Sequence, residues 1–260
     1  MSRLIAFGCS ITHGAGLNDI FEPSDNPSRR ASATGGHKNN HDYYGGVGSK
    51  FAWPIRLQNQ LESSGNPVNT VVNNGWVGAS NKRIWNNIVN FNYEEKDIVV
   101  VLWTFKERDC MFQEELALDS YFPQPDTDYN PKDLHVCGHD YMPSLGDGSH
   151  HKGTERLNRN TIYYKHFYSS FDRWKDIWVR VDHAAKVLNN LGLTNMHYFM
   201  QDPGVMPKWV TGVNIGDTNV DKNTIKNYPV ALDLGHPGKA AHKVLAKKIH
   251  KDLLKKLRHN

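Results

Sequence analysis

Cysteine is scarce. Three in 260 residues, Cys9, Cys110 and Cys137, make an odd and low count that builds no disulfide framework and fits a reducing compartment. No Cys-x-x-Cys occurs. No run of about 18 apolar residues is present, so no membrane span is expected. An excess of one charge is lacking too: 31 Lys plus Arg stand against 27 Asp plus Glu. A scattered net charge of +4 gives no case for a nucleic-acid partner. The dense basic stretch from Lys247 and Lys248 to Arg258 falls on the last expected helix and reads as a solvated face. The opening residues lack a basic segment followed by a long apolar core, and they are needed as a strand. No signal peptide is therefore read, and a cytoplasmic or phage-encoded protein is the expectation. The sequence leaves the oligomeric state open.

What is present is globular. Hydrophobic residues make up 38% and charged residues 22%, a balance that excludes a disordered chain. The length fits one domain, residues 1–260, with insertions at about 18–50 and 106–160. Residues 3–7 form a short apolar run ended by Gly8, as in a buried strand. Residues 18–50, rich in Gly, Ser, Asn, Pro and His, read as a long surface loop. A helix is expected over 51–63, with Pro54 in its first turn and Ile55, Leu57 and Leu61 on its inner face. A strand follows at 68–73. The next helix, capped by Ser80 or Asn81, runs to Asn90, with Ile84, Ile88 and Val89 inward. Residues 97–104 are continuously apolar after Asp97, which implies burial on both faces in a parallel sheet. Prolines and glycines break residues 106–160. Helical spacing returns over 161–191, where Phe167, Phe171, Trp174, Ile177, Trp178, Val181 and Ala185 form a core-packing stripe. A fourth strand is expected at 195–200, a fifth near Trp209 and Val210, and a last helix with Val244, Leu245, Ile249, Leu253 and Leu257 inside. Alternating strands and helices predict an α/β fold: a single doubly wound domain with a central, mostly parallel sheet of about five strands flanked by helices.

Two stretches carry candidate chemistry. Ser10 stands just past the end of the first strand, where such sheets keep their ligand crevice. Its small neighbours Gly8 and Cys9 would let a substrate approach the backbone, leaving an exposed hydroxyl beside free N–H groups. A strand-ending turn with a capping serine explains the stretch as well. Asp233 and His236 lie three residues apart before the last helix. That spacing brings a carboxylate alongside an imidazole, so that the Asp holds one ring nitrogen and the other faces outward as a base; helix capping also accounts for it. Gly78, in the turn after the second strand, offers an N–H to an oxyanion.

Together these stretches resemble the SGNH (GDSL-like) hydrolase family. Residues 8–12, Gly-Cys-Ser-Ile-Thr, look like its nucleophile block. Residues 75–80, Gly-Trp-Val-Gly-Ala-Ser, look like its second block, with Gly78 at the position of the oxyanion-hole glycine. Residues 233–238, Asp-Leu-Gly-His-Pro-Gly, look like its last block. The family's third block, Gly-x-Asn-Asp, is absent: the third strand runs into Leu102-Trp103-Thr104-Phe105, with no Asn. Thr104 falls nearest, and Asn81 or Asn74 is the other candidate donor. This variant is similar to that of phage-encoded and related bacterial members. The resemblance implies a Ser10–His236–Asp233 triad, an oxyanion hole of the Ser10 and Gly78 N–H groups with Thr104, no cofactor and no metal. It also implies a small-molecule or polysaccharide ester as substrate. His13, Asn81 and Trp103 are candidates to line the pocket, although a solvated polar loop also fits His13. The histidines show no zinc-ligand spacing; His135 and His139 are separated by Gly138. Loops rich in Trp, Tyr, Asn and His suit sugars, so the expected activity is removal of short acyl groups, above all O-acetyl, from a carbohydrate. A non-catalytic binding or structural module on the same fold is the competing reading.

Overall fold

The structure, a computed structural model, describes residues 2–21, 48–66, 68–76, 79–105, 109–112, 133–136, 170–232 and 236–258. The opening run forms β1 (Arg3–Gly8), buried from Leu4 onward. The chain turns at Cys9 into a single helical turn, α1 (Ser10–His13), and leaves it through Gly14 at φ 85°, a left-handed conformation that glycine adopts without strain. Helix α2 (Trp53–Ser63) starts with Pro54 in its first turn and buries Trp53, Pro54, Leu57 and Leu61. Strand β2 (Thr70–Gly75) lies two residues beyond its expected start. Pairing with β1 fixes this register, from Arg3 opposite Thr70 to Gly8 opposite Gly75. As an edge strand it tolerates Asn73 and Asn74 and runs two residues past its expected end at Asn73.

Ser80 caps α3 (Asn81–Val89) by accepting the Arg83 N–H at 3.2 Å. All six residues of β3 (Ile98–Trp103) are buried, as their continuous apolarity required. Within the second expected insertion, β4 (Asp109–Phe112) and β5 (Asp133–Val136) form an antiparallel pair that sequence periodicity had not revealed. Helix α4 (Ser170–Asn190) carries the aromatic stripe, with Ile177, Trp178, Val181 and Ala185 in the core; Phe167 lies outside the described residues. Then come β6 (Thr194–Phe199), the short α5 (Val220–Asn223) and the last helix, α6 (Lys239–Leu257).

The main sheet is parallel, in the order β2-β1-β3-β6. No strand forms at Trp209 and Val210; Trp209 is half exposed. Instead residues 214–217 lie along the outer edge of β6, where Ile215 bridges His197, the His197 N–H reaches Asn214 O at 2.8 Å, and the Phe199 N–H reaches Asp217 O at 3.0 Å. Those bonds satisfy part of the edge without a regular strand. Chain order runs outward from β1 to β2 on one side and returns to β3 on the other. Right-handed crossovers then put α2 and α3 on opposite faces. Accordingly α2 packs with α6, and α3 with α4. The topological switch point falls between β1 and β3, whose carboxyl ends open the crevice of an α/β sheet. At the opposite end, Arg3 forks onto the buried Asp97 at 2.9 and 2.7 Å.

Candidate active site

At the switch point β1 delivers Ser10 and β3 delivers Thr104. Glycine sets how closely α1 lies on the strands. A Cβ on Gly75 would fall 2.6 Å from the Thr12 carbonyl carbon and closer still to the His13 backbone nitrogen; one on Gly8 would strike the Thr12 side chain and sit 3.1 Å from Leu102 O. Gly8 and Gly75 thus let α1 seat closely against the strands. The same packing buries Ser10, which is 2% exposed where an exposed hydroxyl was expected. Its Oγ makes no hydrogen bond among the described residues, and its carbonyl accepts from the Gly14 and Ala15 N–H groups at 2.9 and 3.0 Å. His13 is wholly buried rather than in a solvated loop. Its carbonyl holds the Ser49 N–H at 2.8 Å, while the Asn73 side chain donates to Thr12 O at 2.9 Å.

His236 sits in a closed loop ahead of α6. The Gly238 N–H donates to Pro229 O at 3.0 Å, the Ala231 N–H to His236 O at 2.7 Å, and Val230 bridges Pro237. Gly238 is needed there, because a Cβ would come within 2.6 Å of Pro229 O. The loop is tied to the serine segment by the Leu232 N–H, which donates to Gly16 O at 3.1 Å, one residue beyond the Ala15 that holds Ser10 O. Asp233 and Gly78 lie outside the described residues.

At the end of β3 the buried Asn81 side chain clamps the Thr104 backbone: Oδ1 accepts the Thr104 N–H at 2.8 Å and Nδ2 donates to Thr104 O at 3.2 Å. That amide holds the strand end at the crevice, and it occupies one of the Asn81 donor hydrogens. Asn74 stands opposite Phe7 in β2, partly buried. Trp103 has no exposed surface. Its indole N–H donates to His197 Nδ1 at 3.1 Å, with the rings stacked at 10°, so it belongs to the core beneath the strand end rather than to an open lining.

Two further residues bear on the site without having stood out in the sequence. His242, in the second turn of α6, accepts the Trp53 N–H on Nδ1 at 3.1 Å and so joins α2 to the helix that follows His236. Burial pushes its pKa down to about 3, with Arg56 and His236 adding smaller effects. The guanidinium of the buried Arg83 lies 4.3 Å from the Trp76 ring centre. Among the described residues, no group of three His, Cys, Asp or Glu side chains is placed to hold a metal ion.

No protein-family model matches the chain, and no curated protein does. Among solved structures, the chain is similar to the lipase Lip_vut3 from a goat rumen metagenome, at 13% identity and a TM-score of 0.47, with 97% of each chain covered. It is also similar to the acetyl xylan esterase Est2A from the rumen bacterium Butyrivibrio proteoclasticus, at 12% identity and a TM-score of 0.48, over 99% of this chain and 64% of that one. A third is LAE5, an alpha/beta hydrolase enzyme from the metagenome of Lake Arreo, Spain, at 13% identity and a TM-score of 0.46. At these identities and scores the neighbours' activities are not carried over to this chain.

Proposed function

We propose that the chain is a serine ester hydrolase of the SGNH type, with Ser10 as nucleophile, His236 as general base and Asp233 as the group that orients it. The observation that carries this reading is the tie between two distant segments. Ser10 stands at the switch-point end of β1, and the Leu232–Gly16 hydrogen bond fastens the loop of His236 to the residues just after it. A serine at a sheet's crevice and a histidine close in sequence to a segment bonded to the residues after that serine support the reading, since nucleophilic acyl transfer requires both components.

In the first half-reaction His236 takes the Ser10 proton as Oγ attacks the ester carbonyl. The Ser10 and Gly78 N–H groups, with the Thr104 hydroxyl, stabilise the oxyanion. The C–O bond to the alcohol breaks, and the alcohol leaves with the proton from His236. Water, deprotonated by His236, then releases the acyl group and regenerates Ser10. The substrate we propose is a short acyl ester, above all an O-acetyl group, on a carbohydrate. Turnover of 4-nitrophenyl acetate tests the reaction. Wild type is expected to hydrolyse it, with Ser10→Ala lower by roughly 10⁴-fold or more in kcat. Equal rates for the two proteins, or no turnover of any short acyl ester, would leave the fold as a binding module.

A further inference from the structure

We infer that the ester taken by this site is borne on an anionic carbohydrate, one with carboxylate, phosphate or sulfate groups, held at the side of the site by Lys50, Arg56 and Lys239. This inference rests on the esterase reading above. Three cations converge on one ring: Lys239 Nζ lies 3.8 Å, Lys50 Nζ 5.3 Å and the Arg56 guanidinium carbon 5.9 Å from the centre of Phe51. None of the three forms an ion pair among the described residues; the Phe51 ring lies between them and faces all three. Asp19, the carboxylate that touches this segment, is turned to other donors, accepting the Ser49 hydroxyl at 2.6 Å and the Lys50 backbone N–H at 2.8 Å.

The cluster is joined to the segments that carry the proposed site. The Ser49 N–H is bonded to His13 O in the serine turn, the Arg56 Nε–H donates to Phe51 O at 2.8 Å, and Lys239 is the first residue of α6, three after His236. From Lys239 an unbroken i+4 row, Lys243, Lys247, Lys251 and Lys255, continues along the exposed face of α6. At 1.5 Å per residue the row spans roughly 24 Å, the reach of a polymer rather than of a single small anion. Within it, among the described residues, Lys255 alone meets a carboxylate, Asp252, at 3.8 Å. A cationic cluster that starts three residues after His236 and whose Lys50, Arg56 and Lys239 meet no carboxylate among the described residues favours negative charge on the molecule whose ester is cleaved. That favours an anionic glycan over a nucleic acid, which carries no carboxylic ester, and over a membrane, whose glycerol esters bear long acyl chains rather than the short acyl group proposed above.

The test compares acetate release from partially acetylated polygalacturonate with release from the same polymer after carboxyl reduction. The charged polymer is expected to show a kcat/KM higher by roughly tenfold at low salt, an advantage that salt screening erodes. Lys50→Gln combined with Lys239→Gln keeps the Arg56–Phe51 bond and is expected to remove most of that advantage. Lys186→Gln, on α4, is expected to keep it. Calorimetric binding of unacetylated polygalacturonate to Ser10→Ala reads the cluster without turnover. Binding that the double substitution abolishes, in a chain that hydrolyses no ester, supports the cluster and overturns the esterase reading. Equal kcat/KM for both polymers, no effect of the double substitution, or tighter binding of duplex DNA or anionic phosphatidylserine vesicles at the same salt overturns the inference.

Discussion

Gly75 shows what single residues do at this site. A side chain there would press on the backbone of Thr12 and His13, which cannot yield as a flexible side chain would. Gly75→Ala is therefore expected to cost about 1–3 kcal/mol, read as a fall in thermal midpoint, and to displace Ser10 enough to lower kcat. Thr104 and Asn81 separate chemistry from support. Thr104→Val keeps the shape and removes the hydroxyl; if that group stabilises the oxyanion, kcat falls on the order of 100-fold with KM little changed and the fold intact. Asn81→Ala leaves both backbone groups of Thr104 without their partner in a buried place, so a stability loss of about 2–4 kcal/mol should accompany the loss of rate. Unfolding curves beside steady-state kinetics for the two variants distinguish the roles. The sequence displayed Ser10 and Asn81 as candidates at element boundaries, His236 through its three-residue spacing from Asp233, and Thr104 through its position where the family's absent Asn would fall. It did not display that Asn81 faces the Thr104 backbone, or that Trp103 faces His197. Those pairings join residues 23 and 94 positions apart and exist only once the sheet is assembled.

Among the elements, α2, α3 and β3 were legible for local reasons: a proline in the first turn, a serine cap, and a run of six apolar residues. The strand expected at Trp209 was not there, because an apolar dipeptide says nothing about which segment meets the free edge of β6. The hydrogen bonds of Asn214, Gly216 and Asp217 decide that. The two-residue shift of β2 has the same cause: its partner β1 fixes the register. At this scale the loop of 229–238 matters most for function. Gly238→Ala is expected to open the loop by forcing Pro229 O away, lowering kcat more than stability and making the pH dependence of kcat/KM less sharply defined by one base. A pH–rate profile of the variant checks this.

Over the whole molecule, the two ends of the sheet have separate tasks. Asp97, its side chain fully buried, anchors Arg3 at the amino ends of β1 and β3, far along the strands from the crevice. Asp97→Ala should cost about 1–3 kcal/mol in stability while leaving kcat per folded molecule unchanged, since it removes a buried acceptor of Arg3 and of the Glu94 N–H at the end remote from Ser10, while Arg3 keeps Glu94 at 2.9 Å. Acid acts on the molecule through two buried histidines. Burial first, and then nearby cations, push His197 and His242 down to about 3. The unfolded chain takes up a proton on each near pH 6.5, while the folded chain does not. Stability is therefore complete above that pH and falls as pH drops towards about 3, by up to ~1.4 kcal/mol per pH unit for each histidine. His197→Gln should flatten the slope of thermal midpoint against pH below 6.5. The central claim concerns Ser10, and covalent labelling tests it most directly. A fluorophosphonate probe followed by peptide mass spectrometry is predicted to modify Ser10 in the wild type, to leave Ser10→Ala unlabelled, and to react roughly 10³-fold or more slowly with His236→Ala. No adduct on the folded wild-type chain, or an adduct that persists in Ser10→Ala, would contradict the account.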